Sequence, residues 1–299
     1  MKNIKEIIKL CITPFCIFSP IPIFAITLFL ISSNIKLLSI EQIWILIVGC
    51  IASIVFTGAA NFWNHVNDIE EDILNGKDTI LTNGTLKKNT AISISAALYL
   101  ISLIIITLIS IETGRNILLY FTLWMVITWL YSTKIIGLKF KSHYITEIIT
   151  YIIAYPTFTM SIWLIFSNDM IKGLALSIIM CFLSMSGLML KDIKDIKGDT
   201  EAGLRTLGVV FPVKTLFKSS CVFLTLYYIY IFFSIIIGIF NVLSFVVIVP
   251  FLYFFKKTII HFILNNWNIG LKDAPNVKAM MTSVFASLLL LGVSNYIGW

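Results

Sequence analysis

Apolar runs of bilayer-spanning length recur along the whole 299-residue chain, and they leave few folds open. Inside hydrocarbon every backbone N–H and C=O must be satisfied internally, and a helix does this within each run. The spacing predicts spans at 13–33, 43–63, 90–110, 116–132, 145–166, 170–190, 219–240, 242–264 and 279–298. Each is near the roughly 20 residues that a membrane-crossing helix needs. The expected fold is all-α, an integral membrane bundle of nine transmembrane helices forming one domain over residues 1–299. Only 12% of residues are charged and 59% are hydrophobic, whereas a soluble domain carries about 25% charge. Pro14, Pro20, Pro22, Pro156 and Pro250 fall inside spans, where membrane helices tolerate them. The basic N-terminus precedes an apolar run with no small-x-small cleavage site, so that run is read as a retained span.

Lysine and arginine divide unevenly between alternate loops. The N-terminus, the loops after the second, fourth, sixth and eighth spans, and their edges hold 19 of the 22. The other loops hold Lys36, Arg115 and Lys172. The positive-inside rule then puts the N-terminus and the basic loops in the cytoplasm. Topology accounts for most of the net charge of +7, and nucleic-acid binding is not expected. The five cysteines form no C-x-x-C pair and read as reduced packing residues.

The acidic residues are less easily explained, because they contribute little to topology. Nine of the fifteen lie in two of the basic loops: Asp68, Glu70, Glu71, Asp72 and Asp78 after the second span, and Asp192, Asp195, Asp199 and Glu201 after the sixth. Asn64, Asp68 and Asp72 recur every four residues, as do Asp195 and Asp199, so each set is expected on one helical face. Asp192 lies three residues before Asp195. Like charges held together call for a cation. Carboxylates and an amide are hard oxygen ligands that suit Mg²⁺, which takes one or two carboxylates and fills its shell with water and phosphate oxygens. Two facing acidic segments are therefore expected to hold a diphosphate through Mg²⁺, with Lys134 and Arg205 neutralising the remaining phosphate charge.

His65, His143 and His261 are dispersed, no H-E-x-x-H is present, and a zinc site is not expected. His65 reads as structural. Glu147, at the start of the fifth span, either faces a cavity or caps its helix. Paired acidic clusters also suit a cation transporter, but that function calls for ionisable groups near mid-bilayer, and the spans carry almost none.

Asn64-x-x-x-Asp68-x-x-x-Asp72, then Tyr131-Ser132-Thr133-Lys134, then Lys191-Asp192-Ile193-Lys194-Asp195-Ile196-Lys197-Gly198-Asp199 with Gly203 and Arg205-Thr206, resemble the UbiA-type intramembrane prenyltransferases over most of the chain. The resemblance implies a helical bundle around a central cavity open to lipid. It implies Mg²⁺-dependent transfer of a prenyl group from a prenyl diphosphate to a lipophilic acceptor. It makes Asn64, Asp68, Asp72, Asp195 and Asp199 the metal–diphosphate ligands, Lys134 and Arg205 diphosphate contacts, Tyr131 a neighbour of the reacting carbon, and Asp192 substrate-orienting. Many members carry Arg-Pro-Leu-x-x-Gly after the first motif, whereas this chain reads Thr79-Ile80-Leu81-Thr82-Asn83-Gly84, and Lys77 is expected to supply the missing charge. An aromatic quinone precursor is the first expectation for the acceptor and a glycerol-phosphate lipid the second. Trp63, Tyr155, Phe158 and Trp163 are candidate walls against water.

Overall fold

The structure, a computed structural model, describes residues 2–12, 39–133, 139–270 and 273–297. Regular structure among them is helical: α1 (Lys2–Cys11), α2 (Ile40–Asn67), α3 (Ile69–Leu74), α4 (Lys88–Thr113), α5 (Ile117–Ser132), α6 (Tyr144–Phe166), α7 (Met170–Lys191), α8 (Ile196–Glu201), α9 (Leu207–Val210), α10 (Val213–Ile236), α11 (Val242–Leu264) and α12 (Ala274–Ile297). Seven of these are long and apolar enough to cross a membrane, and α5 is a shorter apolar helix. Eight of the nine expected spans thus correspond to helices among the described residues. The remaining one, 13–33, lies outside them.

The boundaries shift for local reasons. α2 continues past the expected end of its span to Asn67, so Asn64 belongs to its last turn. α10 starts at Val213, directly after Pro212, and draws Lys214 and Lys218 into a helix. Proline before a helix loses no hydrogen bond there. α11 is irregular: a 3-10 opening (Val242–Val247), an α-helical stretch (Ile248–Phe254), a π-helical turn (Phe255–Ile260) and a final α turn (His261–Leu264). Pro250 lies just past the 3-10 opening, so its missing N–H falls where the helix changes type.

α2 packs against α4, α5 against α6, α6 against α7, and α7 against α10, while α11 and α12 pair with each other. The middle of the bundle is aromatic. Phe56 packs at a tilt of 49° on Trp124 with ring centroids 4.2 Å apart, and Trp124 at 53° on Phe158 at 4.3 Å. Outward faces stay apolar. Leu100, Ile104, Leu108 and Ile111 form one exposed stripe on α4. Such a stripe is unfavourable in water and is suited to hydrocarbon.

The two ends of the bundle differ. At one, Arg115 donates to the carbonyls of Leu164 (3.1 Å) and Ile165 (2.7 Å), closing the C-terminus of α6. Trp163 donates to the Asp169 carbonyl at this same end, so it packs the bundle far from the acids and does not wall their site. A cavity of about 240 Å³ lined by Glu41, Glu112 and Arg115 also lies there. A second, of about 440 Å³, is an apolar groove between α10 and α11 beside Cys221 and Trp267. Neither is the central cavity that the resemblance implies. The other end carries both acidic motifs.

Candidate active site

Both acidic motifs are built in the same way. A long helix stops, the chain turns at an aspartate, and a short helix follows. Asp68 precedes α3 with φ −111° and ψ 14°, and Asp195 precedes α8 with φ −103° and ψ 4°. Asp72 N–H donates to the Asp68 carbonyl (2.7 Å), and Asp199 N–H to that of Asp195 (2.9 Å). Each short helix ends on a left-handed glycine, Gly76 (φ 67°) or Gly203 (φ 71°). Gly76 donates to Ile73 and Lys77 to Asp72; Gly203 donates to Thr200 and Leu204 to Asp199. This is the Schellman closure, in which glycine takes the conformation that a Cβ disfavours. The expectation of one continuous helical face is therefore corrected: α2 ends before Asp68 and α7 before Asp192. The four-residue spacing survives because each aspartate pair straddles the first turn of a new helix.

α3 and α8 pack on each other, so motifs far apart in sequence meet. Lys77 joins them directly. Its Nζ lies 2.8 Å from Asp72 Oδ1 and 3.6 Å from Asp195 Oδ1. The expected role of Lys77 as a source of charge at this site fits that position. The close approach depends on Gly198, where an added Cβ would lie 2.1 Å from Asn75 Oδ1.

Residues 139–143, the described part of the connection into α6, lie against the first motif. Lys139 donates to Glu71 Oε1 (2.6 Å) and the Asn67 carbonyl (2.6 Å) and lies 3.4 Å from Asp68 Oδ1. Lys141 pairs with Asp68 Oδ2 and approaches Asn64 Oδ1 at 3.3 Å. The same loop is stitched to the second motif, because Arg205 N–H donates to the Ser142 carbonyl and Tyr144 N–H to the Arg205 carbonyl. Lys139 and Lys141 went unrecognised in the sequence because each also fits a topology signal, and nothing in loop spacing shows where a lysine reaches.

Burial alone would raise the Asp72 carboxyl, but hydrogen bonds from His65 and Lys77 outweigh it and hold it below the usual carboxylate range. Glu71 is likewise held low, burial being outweighed by the Lys139 hydrogen bond. Lys77 and Lys139 are pushed up: burial disfavours their charge, yet Asp72 acting on the first and Asp68 and Glu71 acting on the second more than offset it. Asp199 differs. Burial and the neighbouring Asp192 charge raise it, although Thr206 donates a 3.0 Å hydrogen bond to its Oδ2. The first motif therefore holds its negative charge against lysines, and the second holds charge that is less well compensated.

The remaining expected residues divide. Asn64 Oδ1 accepts from Ser132 (2.9 Å), which places it beside the first motif. Tyr131 is buried and donates to Glu147 Oε1 (2.9 Å), while Lys191 Nζ sits 5.8 Å from the Tyr131 ring centroid. Asp192 is buried and pairs with Lys191. Arg205 is exposed; its backbone, rather than its guanidinium, is what ties the site together here. Lys134 lies outside the described residues. Glu147 is neither exposed nor a helix cap, because Tyr131 and Lys191 both hold its side chain.

The donor set fits Mg²⁺. Asp68, Asp72 and Asp199 are buried at one end of the bundle, and the Lys77 ammonium between Asp72 and Asp195 marks a point where positive charge is stabilised by both motifs. Among the described residues no three acidic, His or Cys side chains converge as a self-sufficient metal cage. Mg²⁺ needs only one or two protein carboxylates, since it completes its octahedron with water and phosphate oxygens.

Fold and site together define an all-helical integral membrane protein with a two-part acidic site at one end of its bundle. The chain belongs to the UbiA prenyltransferase family, whose model matches residues 19–268, and it is a prenyltransferase. An uncharacterized protein of Archaeoglobus fulgidus is 36% identical over 217 residues, covering 71% of this chain and 72% of that one. Digeranylgeranylglyceryl phosphate synthase of Methanosphaera stadtmanae is 27% identical over 198 residues, covering 64% and 69%. Among solved structures, one concerned with digeranylgeranylglyceryl phosphate synthase in membranes has TM-score 0.67 and 20% identity, covering 100% of this chain and 99% of that one. A UbiA homolog from Archaeoglobus fulgidus bound to GPP and Mg²⁺ has TM-score 0.63 and 16% identity, covering 97% and 98%. Family membership decides for the enzyme over the cation transporter.

Proposed function

We propose that this chain carries out Mg²⁺-dependent transfer of a prenyl group from a prenyl diphosphate to the free hydroxyl of a glycerol-phosphate lipid. The observation that carries the diphosphate half is the meeting of the two Asp-x-x-x-Asp units around the Lys77 ammonium. Support for the acceptor is the digeranylgeranylglyceryl phosphate synthase among the relatives and the similar fold of a structure of that type. This moves the glycerol-phosphate lipid ahead of the aromatic acceptor expected first from sequence. The site is assigned to the cytoplasmic side of a cell membrane, with the N-terminus inside, on the strength of the lysine asymmetry.

Asn64, Asp68, Asp72, Asp195 and Asp199 would hold the metal. When bound, Mg²⁺ neutralises the diphosphate and makes it a better leaving group. Lys77, Lys139 and Lys141 bind the phosphate oxygens that remain, as charge-assisted donors. Arg205 and Lys134 are assigned to the same task. Tyr131 presents a buried ring between the motifs and the apolar bundle, where aromatic π-density favours the developing allylic cation. The apolar bundle excludes water that would otherwise capture that cation.

Lys139→Met is expected to raise the KM for the prenyl diphosphate about tenfold, the scale of one hydrogen bond to a charged group. Steady-state assays at saturating acceptor measure this, and an unchanged KM removes Lys139 from the donor site. The proposal as a whole is tested by incubating membranes with labelled geranylgeranyl diphosphate, with and without Mg²⁺. Geranylgeranylglyceryl phosphate and a hydroxybenzoate are offered as competing acceptors. Label should pass to the glycerol lipid only with Mg²⁺. Label on the hydroxybenzoate instead overturns the acceptor, and Mg²⁺-independent transfer overturns the site.

A further inference from the structure

Glu147 belongs to neither acidic motif, yet it is 0% exposed at the same end of the bundle. Its Oε1 is held by the Tyr131 hydroxyl (2.9 Å) and the Lys191 ammonium (3.0 Å). Its Oε2 is buried with no hydrogen-bond partner. Asp192, 5% exposed, repeats the arrangement: Lys191 takes Oδ1, and Oδ2 is buried and unpartnered. A buried carboxylate oxygen without a donor is costly, and two around one lysine are a feature that needs a ligand.

The chemistry of that ligand follows from what the cluster lacks. Two carboxylates face one ammonium, so a phosphate or carboxylate would be repelled. Tyr131 and Lys191 already spend donors on the carboxylates. Both free carboxylate oxygens are acceptors, and Lys191 keeps one of its three N–H donors, so the vacancy suits a neutral group that donates and accepts, such as a hydroxyl. The position is also right. Ser132, next to Tyr131, donates to Asn64 of the first motif, and the Asp192 carbonyl accepts from Asp195 N–H of the second. The cluster thus adjoins the first motif through the neighbour of Tyr131 and continues directly into the second.

We infer that Glu147 and Asp192 form the subsite for the acceptor's hydroxyl, and that Glu147 Oε2 takes its proton. This rests on the prenyl-transfer reading and adds to it a preference for oxygen over carbon acceptors. The acceptor O–H proton passes to Glu147. The oxygen lone pair forms the new C–O bond to C1 of the prenyl chain. The C1–O bond to diphosphate breaks, and its electron pair leaves with the diphosphate. Glu147 returns the proton to water as product departs.

The competing explanation is that Glu147 only balances the charge of Lys191. Full-length protein in detergent or membranes, supplied with geranylgeranyl diphosphate, Mg²⁺ and geranylgeranylglyceryl phosphate, separates the two. Glu147→Gln should lower kcat about 100-fold, the scale of general-base catalysis, and Glu147→Asp should retain more activity than Glu147→Gln. A Glu147→Gln/Lys191→Met double variant should stay inactive, whereas charge balance alone requires it to recover. A probe in which hydrogen replaces the acceptor's free hydroxyl should bind wild type at least about tenfold more weakly than the parent acceptor, the scale of a hydrogen bond to a charged group. It needs no variant to fold. Recovery of the double variant, transfer by Glu147→Gln within threefold of wild type, or equal binding of the deoxy probe overturns the subsite. Failure of wild type to consume prenyl diphosphate with Mg²⁺ overturns prenyl transfer itself, a different result.

Discussion

Asp68→Ala and Asp195→Ala are each expected to lower Mg²⁺-dependent prenyl transfer by about 10³-fold or more while the protein still inserts in the membrane. The two residues hold equivalent places at the starts of α3 and α8. Asp68 is the point on which Lys139 and Lys141 converge, and Asp195 is the contact of the second motif with Lys77. Removing either leaves a cation facing only half of its counter-charge. The double variant should be barely worse than either single one, because groups acting as a unit are not additive. Turnover of labelled prenyl diphosphate, normalised to protein in the membrane fraction, measures the effect. Activity within tenfold of wild type in either variant would remove the two-motif site.

Gly198→Ala is expected to cost about 100-fold in activity without touching a charged group, because displacement of a site by about 1 Å has effects of that size. The added methyl would meet the Asn75 side chain at 2.1–2.3 Å. Asn75 can turn aside only by giving up the hydrogen bond that its Nδ2 donates to the Glu71 carbonyl (3.0 Å). The clash therefore pushes α3 from α8 and separates Asp72 from Asp195. Overpacking of this kind costs about 1–3 kcal/mol of stability. Asn75→Ala combined with Gly198→Ala should recover much of the lost activity, as read by the same turnover assay and by thermal denaturation. A double variant no better than Gly198→Ala alone would place the fault elsewhere.

Much of this arrangement can be read in the sequence, and the parts that cannot have identifiable causes. Eight spans are legible because their apolar runs are long enough to outweigh local breaks such as Pro250 and Lys256-Lys257 in the 242–264 run. Both acidic motifs were legible because carboxylates are conspicuous among lysines. Their helical continuity was misread because a four-residue spacing fits one long helix as well as the first turn of a new one. The recurring glycine separates the two readings: Asp68, Asp72 and Gly76 share the spacing of Asp195, Asp199 and Gly203. A glycine at that offset ends a helix and does not prolong one. The assignments of Lys139, Lys141 and Lys191 were obscured by their second meaning as topology markers. The position of Glu147 was a matter of tertiary packing, since the first turn of a helix gives no sign of which neighbour its side chain will meet.

The matching backbone of 68–77 and 195–204 has a consequence for how the chain comes to be chemically competent. Each segment is closed by its own glycine and by hydrogen bonds within the segment. What neither possesses is a counterpart across the gap. The proposed reactive centre is therefore a seam between two segments. It comes into being only when the front and rear portions of the chain dock, and the fit of Gly198 against Asn75 is the gauge of whether they have docked closely enough. Undocked, either segment would lack the opposing carboxylates that the proposed reaction needs. Activity thus reports on the completed union of two similar parts.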